Sequence, residues 1–263
     1  MPAIALMYHD VVEGDAYDAS GFAGADAALY KLGREEFEAH LSAIAARAVG
    51  RPVTVEEFGG GAVGARPLLL TFDDGGVSAY THAAPALERR GWRGHFFVTT
   101  GRVGAPAFLS REQIKELDGR GHVVGSHSAT HPARMARCGY DEMLREWRTS
   151  AEVLSDITGR AVTAASVPGG YYSRRVAEAA NEAGYRHLFT SEPRAGLHRV
   201  GDCLVIGRYT VQRWTTPQVA AAIAAGRLAP RLRQAVLWNA KKATKAVGGE
   251  FYLRARKALI GGG

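Results

Sequence analysis

The sequence predicts an α/β protein: a distorted, incomplete (β/α) barrel of the TIM type with a basic helical C-terminal tail. Three observations predict it. Short apolar runs alternate with helix-period segments about six or seven times, the pattern of a parallel sheet. A length of 263 residues suits one such barrel. Polar groups follow the apolar runs at once, at His9, Asp73-Asp74, His127 and Pro168-Gly169-Gly170, which in a parallel barrel sets them on the carboxyl rim.

Taken in order, Ala3–Met7 reads as a first strand running into Tyr8-His9-Asp10, and Glu13–Leu32, rich in Gly, Ala and Asp, as a long surface excursion. Phe37, Leu41 and Ile44 recur at helical spacing within Arg34–Arg47. Pro52–Phe58 is expected as a short strand and turn. Pro67–Phe72, with three leucines, a Thr and a Phe, has the composition of a fully buried strand and stops abruptly at Asp73-Asp74-Gly75. Val77–Arg90 is the next helix, closed by Gly91, and His95–Thr100 the next strand. Ser110 is placed to cap a helix over Arg111–Leu117, and strand Val123–Ser126 then ends on His127. A long helix over Tyr140–Ile157 carries Met143, Trp147, Ala151 and Leu154 on one side. Strand Val162–Val167, helix Ser173–Ala183, strand His187–Thr190, strand Leu204–Val211 and helix Thr216–Ala225 complete the series.

The composition, 46% hydrophobic and 22% charged, is that of a soluble globular protein. Cys138 and Cys203 lack metal-ligand spacing and suggest no disulfide framework. The start of the chain has no basic n-region, and no apolar run is long enough to span a bilayer, so a cytoplasmic location is expected. Charge is unevenly spread. From Leu228 onward eight Lys and Arg residues face one acid, Glu250, whereas residues 1–227 balance at 25 bases and 25 acids. The expected division is a barrel over 1–227 and a basic amphipathic tail over 228–263. In the tail Leu232, Val236, Ala240, Ala243 and Val247 recur at helical spacing, with Arg231, Trp238, Lys242 and Lys245 on another side. Two readings stand: a helix packed on the barrel with a solvated charged face, or docking at the inner face of an anionic membrane. No recognition motif accompanies the charge, so nucleic acid is not expected as a partner.

Two adjacent carboxylates at the end of a buried strand repel each other, a cost that a bound cation removes. His127 and His131 stand four apart, a spacing at which two imidazoles converge on one ion. With one carboxylate they make the open three-ligand set of a hydrolytic zinc site. The plain alternative is a solvated Asp-Asp-Gly turn and two ordinary histidines.

Thr71-Phe72-Asp73-Asp74-Gly75 and His127-Ser128-Ala129-Thr130-His131 resemble the first two motifs of the polysaccharide deacetylases, the nodulation-protein-like carbohydrate esterases. The resemblance covers roughly residues 1–215. It implies a distorted (β/α) barrel in which Asp74, His127 and His131 bind one divalent metal, usually zinc, and Asp73 is the general base. Ser166-Val167-Pro168-Gly169-Gly170 matches the third motif in part, with Ser166 where the family has the arginine that orients the base; Arg208 is the candidate replacement. The C-terminal Leu-x-His motif is not matched, and His198, beside Leu197, is read as solvated. A circularly permuted branch, resembling poly-N-acetylglucosamine deacetylases, carries its catalytic histidine in a Tyr-His pair on the first strand. Tyr8-His9 fits it, making His9 the candidate acid.

The chemistry so implied is hydrolytic N-deacetylation of an amino-sugar glycan, whether polymer, oligosaccharide or lipid-linked. Asp73 deprotonates water, a backbone N–H near Gly169 or Gly170 steadies the oxyanion beside Pro168, and His9 protonates the departing amine. Tyr171 and Trp214 are candidates for stacking on a sugar, or for ordinary core or surface places. An O-acetyl carbohydrate esterase and a catalytically impaired carbohydrate-binding domain are the alternative readings.

Overall fold

A computed structural model describes residues 2–47, 50–59 and 66–240. Its strands are β1 Ile4–Tyr8, β2 Val11–Val12, β3 Leu32–Gly33, β4 Leu68–Phe72, β5 His95–Val98, β6 Val123–Ser126, β7 Ala164–Ser166, β8 His187–Phe189, β9 His198–Val200, β10 Cys203–Ile206 and β11 Tyr209–Thr210. Nine of them form one sheet in the order β11-β1-β4-β5-β6-β7-β8-β10-β9. Every pairing in it is parallel except β9 with β10. The remaining two, β2 and β3, pair with each other beside the rim.

The sheet curls almost into a closed barrel. β10 and β11 lie toward opposite ends of the strand order, yet only Gly207-Arg208 separates them in the chain. A link that short spans at most about 10 Å. The seam is therefore narrow, and Arg208 stands in it. Glycine is needed next to it, because a Cβ on Gly207 would lie 2.5 Å from the Glu192 carbonyl oxygen.

Side-chain alternation divides the core in two. Ala5, Leu69, Phe97, Ala164, Phe189 and Ile206 fill the barrel interior. Their neighbours Ile4, Leu6, Leu70, Phe72 and Phe96 point outward, against Phe37, Leu41, Leu87, Trp147 and Leu154 of the surrounding helices. Strands buried on both faces explain the unbroken apolar run Leu68-Leu69-Leu70. Residue pairing from Ile4↔Leu68 to Tyr8↔Phe72 then ends β1 and β4 at one level. His9 and Asp73 consequently emerge side by side, and the Asp73 N–H donates to the Tyr8 carbonyl at 3.1 Å.

The helices are α1 Ala25–Ala28, α2 Arg34–Arg47, α3 Val55–Gly59, α4 Ala84–Glu88, α5 Arg111–Gly119, α6 Tyr140–Thr158, α7 Arg174–Glu182 and α8 Pro217–Ala224, followed by α9 from 228 to the last described residue, 240. Three segments differ from expectation. Residues 55–59 are helical rather than extended, because Thr54 and Glu57 cap each other: the Glu57 N–H donates to Thr54 Oγ1 (3.2 Å) and the Thr54 N–H to Glu57 Oε2 (2.8 Å). The helix expected over Val77–Arg90 begins with a π-turn at Ala79–Ala83 before α4. The expected last strand is two, β10 and β11, divided at Arg208. Tail positions beyond 240, Ala243 and Val247 among them, lie outside the described residues. Among the described residues, no helix is long and apolar enough to cross a membrane.

Candidate active site

The carboxyl rim gathers the predicted ligands. Asp74 follows β4 directly, and His127 follows β6 directly. His127 Nε2 lies 3.4 Å and His131 Nε2 3.6 Å from Asp74 Oδ1. The three donor atoms all fall within 4.8 Å of one another, close enough to share one ion. His127 Nδ1 donates to the Ser166 carbonyl oxygen at 3.0 Å, which leaves its Nε2 lone pair directed at the cluster. That tautomer, with two imidazoles and a carboxylate, fits a divalent metal of zinc's preferences.

Local backbone conformation makes this convergence. Asp74 (φ 77°), Ser128 (φ 64°) and His131 (φ 60°) are three of the four described non-glycine residues in the left-handed region. The turn between the histidines is held from beneath by Glu146 of α6. Its carboxylate accepts from the Ala129 N–H (3.0 Å), the Thr130 N–H (2.8 Å) and Thr130 Oγ1 (2.7 Å). The Ser128 hydroxyl accepts from the His131 N–H at 3.0 Å.

Asp73 points the other way, into the barrel mouth, and is 5% exposed. Arg208 grips it: Nη1 donates to Oδ1 at 2.6 Å and Nη2 to Oδ2 at 2.8 Å. Ser166 Oγ donates to Oδ2 at 3.2 Å and accepts from Arg208 Nη2 at 2.7 Å. The guanidinium is completely buried, and it also donates to the Thr190 carbonyl oxygen and to Thr71 Oγ1. Thus Arg208 is the guanidinium partner of Asp73, and Ser166 lies between the two with a hydroxyl bonded to both.

The electrostatics follow from burial and neighbouring charge. Burial works to raise the Asp73 carboxyl, but the Arg208 and His127 charges outweigh it and hold the group below the ordinary carboxylate range. Asp74 is likewise penalised by burial, yet its bond to His127 and the charges of His9, His127 and His131 hold it well below that range. Burial and the His127 charge push His131 down to about 4, so it presents a neutral ring.

His9 reaches the same mouth. Its charge acts on both Asp73 and Asp74, and its ring lies 4.9 Å from that of Tyr30. Its Nδ1 is buried with no hydrogen-bond partner among the described residues. On the opposite side the turn Pro168–Gly170 follows β7, with Gly169 at φ 65° and Gly170 at φ 70°. A Cβ on Gly169 would sit 2.7 Å from the Ala133 carbonyl oxygen, so glycine lets this turn press against the loop after His131.

Other expectations divide. Tyr171 carries the Arg134 guanidinium over its ring at 5.5 Å. Trp214 stands 59% exposed and takes the surface alternative. His198 is not solvated in a loop: it lies half-buried on β9, with Nε2 3.0 Å from the Tyr172 hydroxyl. Sequence reasoning missed Glu146, although an acid at that position falls on the apolar face of α6 between Met143 and Trp147. It also missed Phe22, whose ring packs on His131 at 4.9 Å. Phe22 is held there by buried Lys31, whose ammonium donates to the carbonyl oxygens of Tyr17, Ser20 and Phe22 at 2.5–2.6 Å.

Residues 60–188 match the family model described as polysaccharide deacetylase. Over 211 residues the chain is 26% identical to YxkH of Bacillus subtilis, covering 74% of this chain and 69% of that protein. It is 30% identical over 128 residues to the peptidoglycan-N-acetylmuramic acid deacetylase PdaA of Bacillus subtilis, covering 48% of this chain and 47% of PdaA. The chain thus spans about half the length of PdaA and somewhat more than two thirds of YxkH. Among solved structures, IcaB from Ammonifex degensii superposes with a TM-score of 0.68 at 27% identity, over 85% of this chain and 97% of IcaB. The Streptococcus pyogenes deacetylase PplD shares the fold, with a TM-score of 0.69 at 22% identity over 83% of this chain and 96% of PplD.

Proposed function

We propose that this protein, which the polysaccharide deacetylase family model matches over residues 60–188, hydrolyses N-acetyl groups from an amino-sugar glycan with one divalent metal, zinc by its donor set, held by Asp74, His127 and His131. The observation that carries the reading is Asp73, a second carboxylate fixed by Arg208 beside that donor set. A metal there supplies Lewis acidity, polarising the acetyl carbonyl and making water acidic enough to attack near neutral pH.

The chain's own groups do the rest. Asp73 takes the proton of the attacking water. Its Oδ2 is occupied by two donors, whereas among the described residues Oδ1 accepts from Arg208 alone and keeps a lone pair for that proton. Arg208 keeps the carboxylate ionised and aimed. A backbone N–H of the Gly169-Gly170 turn donates to the carbonyl oxygen as it gains charge. His9 gives its proton to the nitrogen as the C–N bond breaks, so that a neutral amine leaves along with acetate. Residues 1–227 form the catalytic unit, and 228–263 a tail attached to it.

Acetate release from a panel of N-acetylated glycans, after chelation and again with zinc supplied, tests the reading. Release of acetate from ester substrates alone makes the protein an O-acetyl esterase, and zinc-independent release removes the metal role.

A further inference from the structure

Among the described residues every large apolar side chain that stands exposed lies between 214 and 237: Trp214, Val219, Leu228, Leu232, Val236 and Leu237. Four of the six are on α9. That helix is tied to the barrel by its opposite side. Gln234 accepts from the Thr210 N–H (2.9 Å) and donates to the Thr210 carbonyl (2.8 Å), and Arg231 Nε donates to the Tyr209 hydroxyl (2.8 Å). The Trp238 ring abuts Gly170, where a Cβ would meet it at 3.2 Å. Positions 231, 234 and 238 make one helical face, and 228, 232 and 236 another. The second is an apolar stripe held outward, with Leu228 63%, Leu232 53% and Val236 65% exposed.

We propose that this stripe docks on an anionic lipid surface. Charge selects that occupant. The sequence from 228 onward carries eight bases against one acid, while the rest of the chain is balanced, so attraction to anionic headgroups is confined to the segment bearing the stripe. An apolar face with basic residues on the same segment is the pattern of a helix lying in the plane of the interface. Since the inner face of α9 touches Gly170, docking holds the rim of the candidate site beside the lipid–water boundary. The docking itself does not rest on the deacetylase reading, and its failure leaves that reading in place.

Flotation of the full chain with vesicles tests it. With phosphatidylcholine and phosphatidylglycerol together the protein floats, and with phosphatidylcholine alone, or at high salt, it stays below. Leu232→Asp with Val236→Asp, both exposed and so compatible with an unchanged circular dichroism spectrum, lowers binding about tenfold or more. Absence of flotation with the anionic vesicles, or equal flotation of the double variant, overturns the proposal. So does a dimer, seen by sedimentation without lipid, that the double variant dissociates, since a second copy then covers the stripe.

Discussion

Arg208 and Asp73, 135 positions apart in sequence, meet in a two-bond guanidinium–carboxylate pair sealed inside the barrel mouth. Among the described residues the Ser166 hydroxyl is the other hydrogen-bond donor to this carboxylate, His127 Nε2 stands 3.9 Å from its Oδ2, and the group is only 5% exposed. Arg208→Met therefore takes the guanidinium partner from a buried anion, at a cost of about 3–5 kcal/mol. Arg208→Lys keeps the charge but loses the fork, and misaiming the base is expected to lower kcat on the order of 100-fold. Thermal unfolding and acetate-release kinetics separate these two effects.

Asp73→Asn and His9→Ala are each expected to retain zinc, because neither residue belongs to the converging donor set. Turnover should fall by about 100-fold or more in both, the usual worth of a positioned acid or base. Metal content and acetate release are measured on the same samples. Unchanged turnover in either variant removes that residue's role.

Glu146 touches no predicted donor atom, yet three hydrogen bonds make it the floor of the turn between His127 and His131. Glu146→Gln replaces one accepting oxygen by a donor facing donors. Zinc affinity, measured by chelator competition, is expected to weaken about 10- to 100-fold. An affinity equal to the wild type would show that the turn holds itself.

His95 gives the pH dependence of stability. Nδ1 lies 3.0 Å from the Leu70 carbonyl and donates to it, while Nε2 accepts from the Val55 N–H at 3.0 Å, so the ring is neutral. Burial lowers its pKa from 6.5 to about 4. A folded value below the unfolded one means that this contribution is complete above pH 6.5 and is lost as pH falls from 6.5 toward 4. The loss is on the order of 3 kcal/mol. Denaturation midpoints across that window should fall less steeply in His95→Gln.

The sequence made the barrel and the convergence of Asp74, His127 and His131 legible for one reason: both are written locally. Buried strands leave continuous apolar runs, and the donors follow those runs within one or a few residues, as Asp74 follows Phe72 and His127 follows Ser126. What stayed hidden depends on closure. Arg208 could be nominated by its place near a strand end, but its grip on Asp73 exists only because the sheet curls until β10 and β11 face each other. Glu146 and Lys31 act on backbone groups, which carry no residue-specific signal in the sequence. The helix at 55–59 was missed because its signal, Thr54 with Glu57, is a capping pair and not an apolar period.

The small side chain at 166 and the large one at 208 share one space around a single carboxylate. A chain with arginine at both positions would force two cations together in a dry interior, and a chain with neither would strand an anion there. Ser166→Arg and Arg208→Ser are therefore each expected to be unfavourable alone and less so together, because the two positions share one carboxylate.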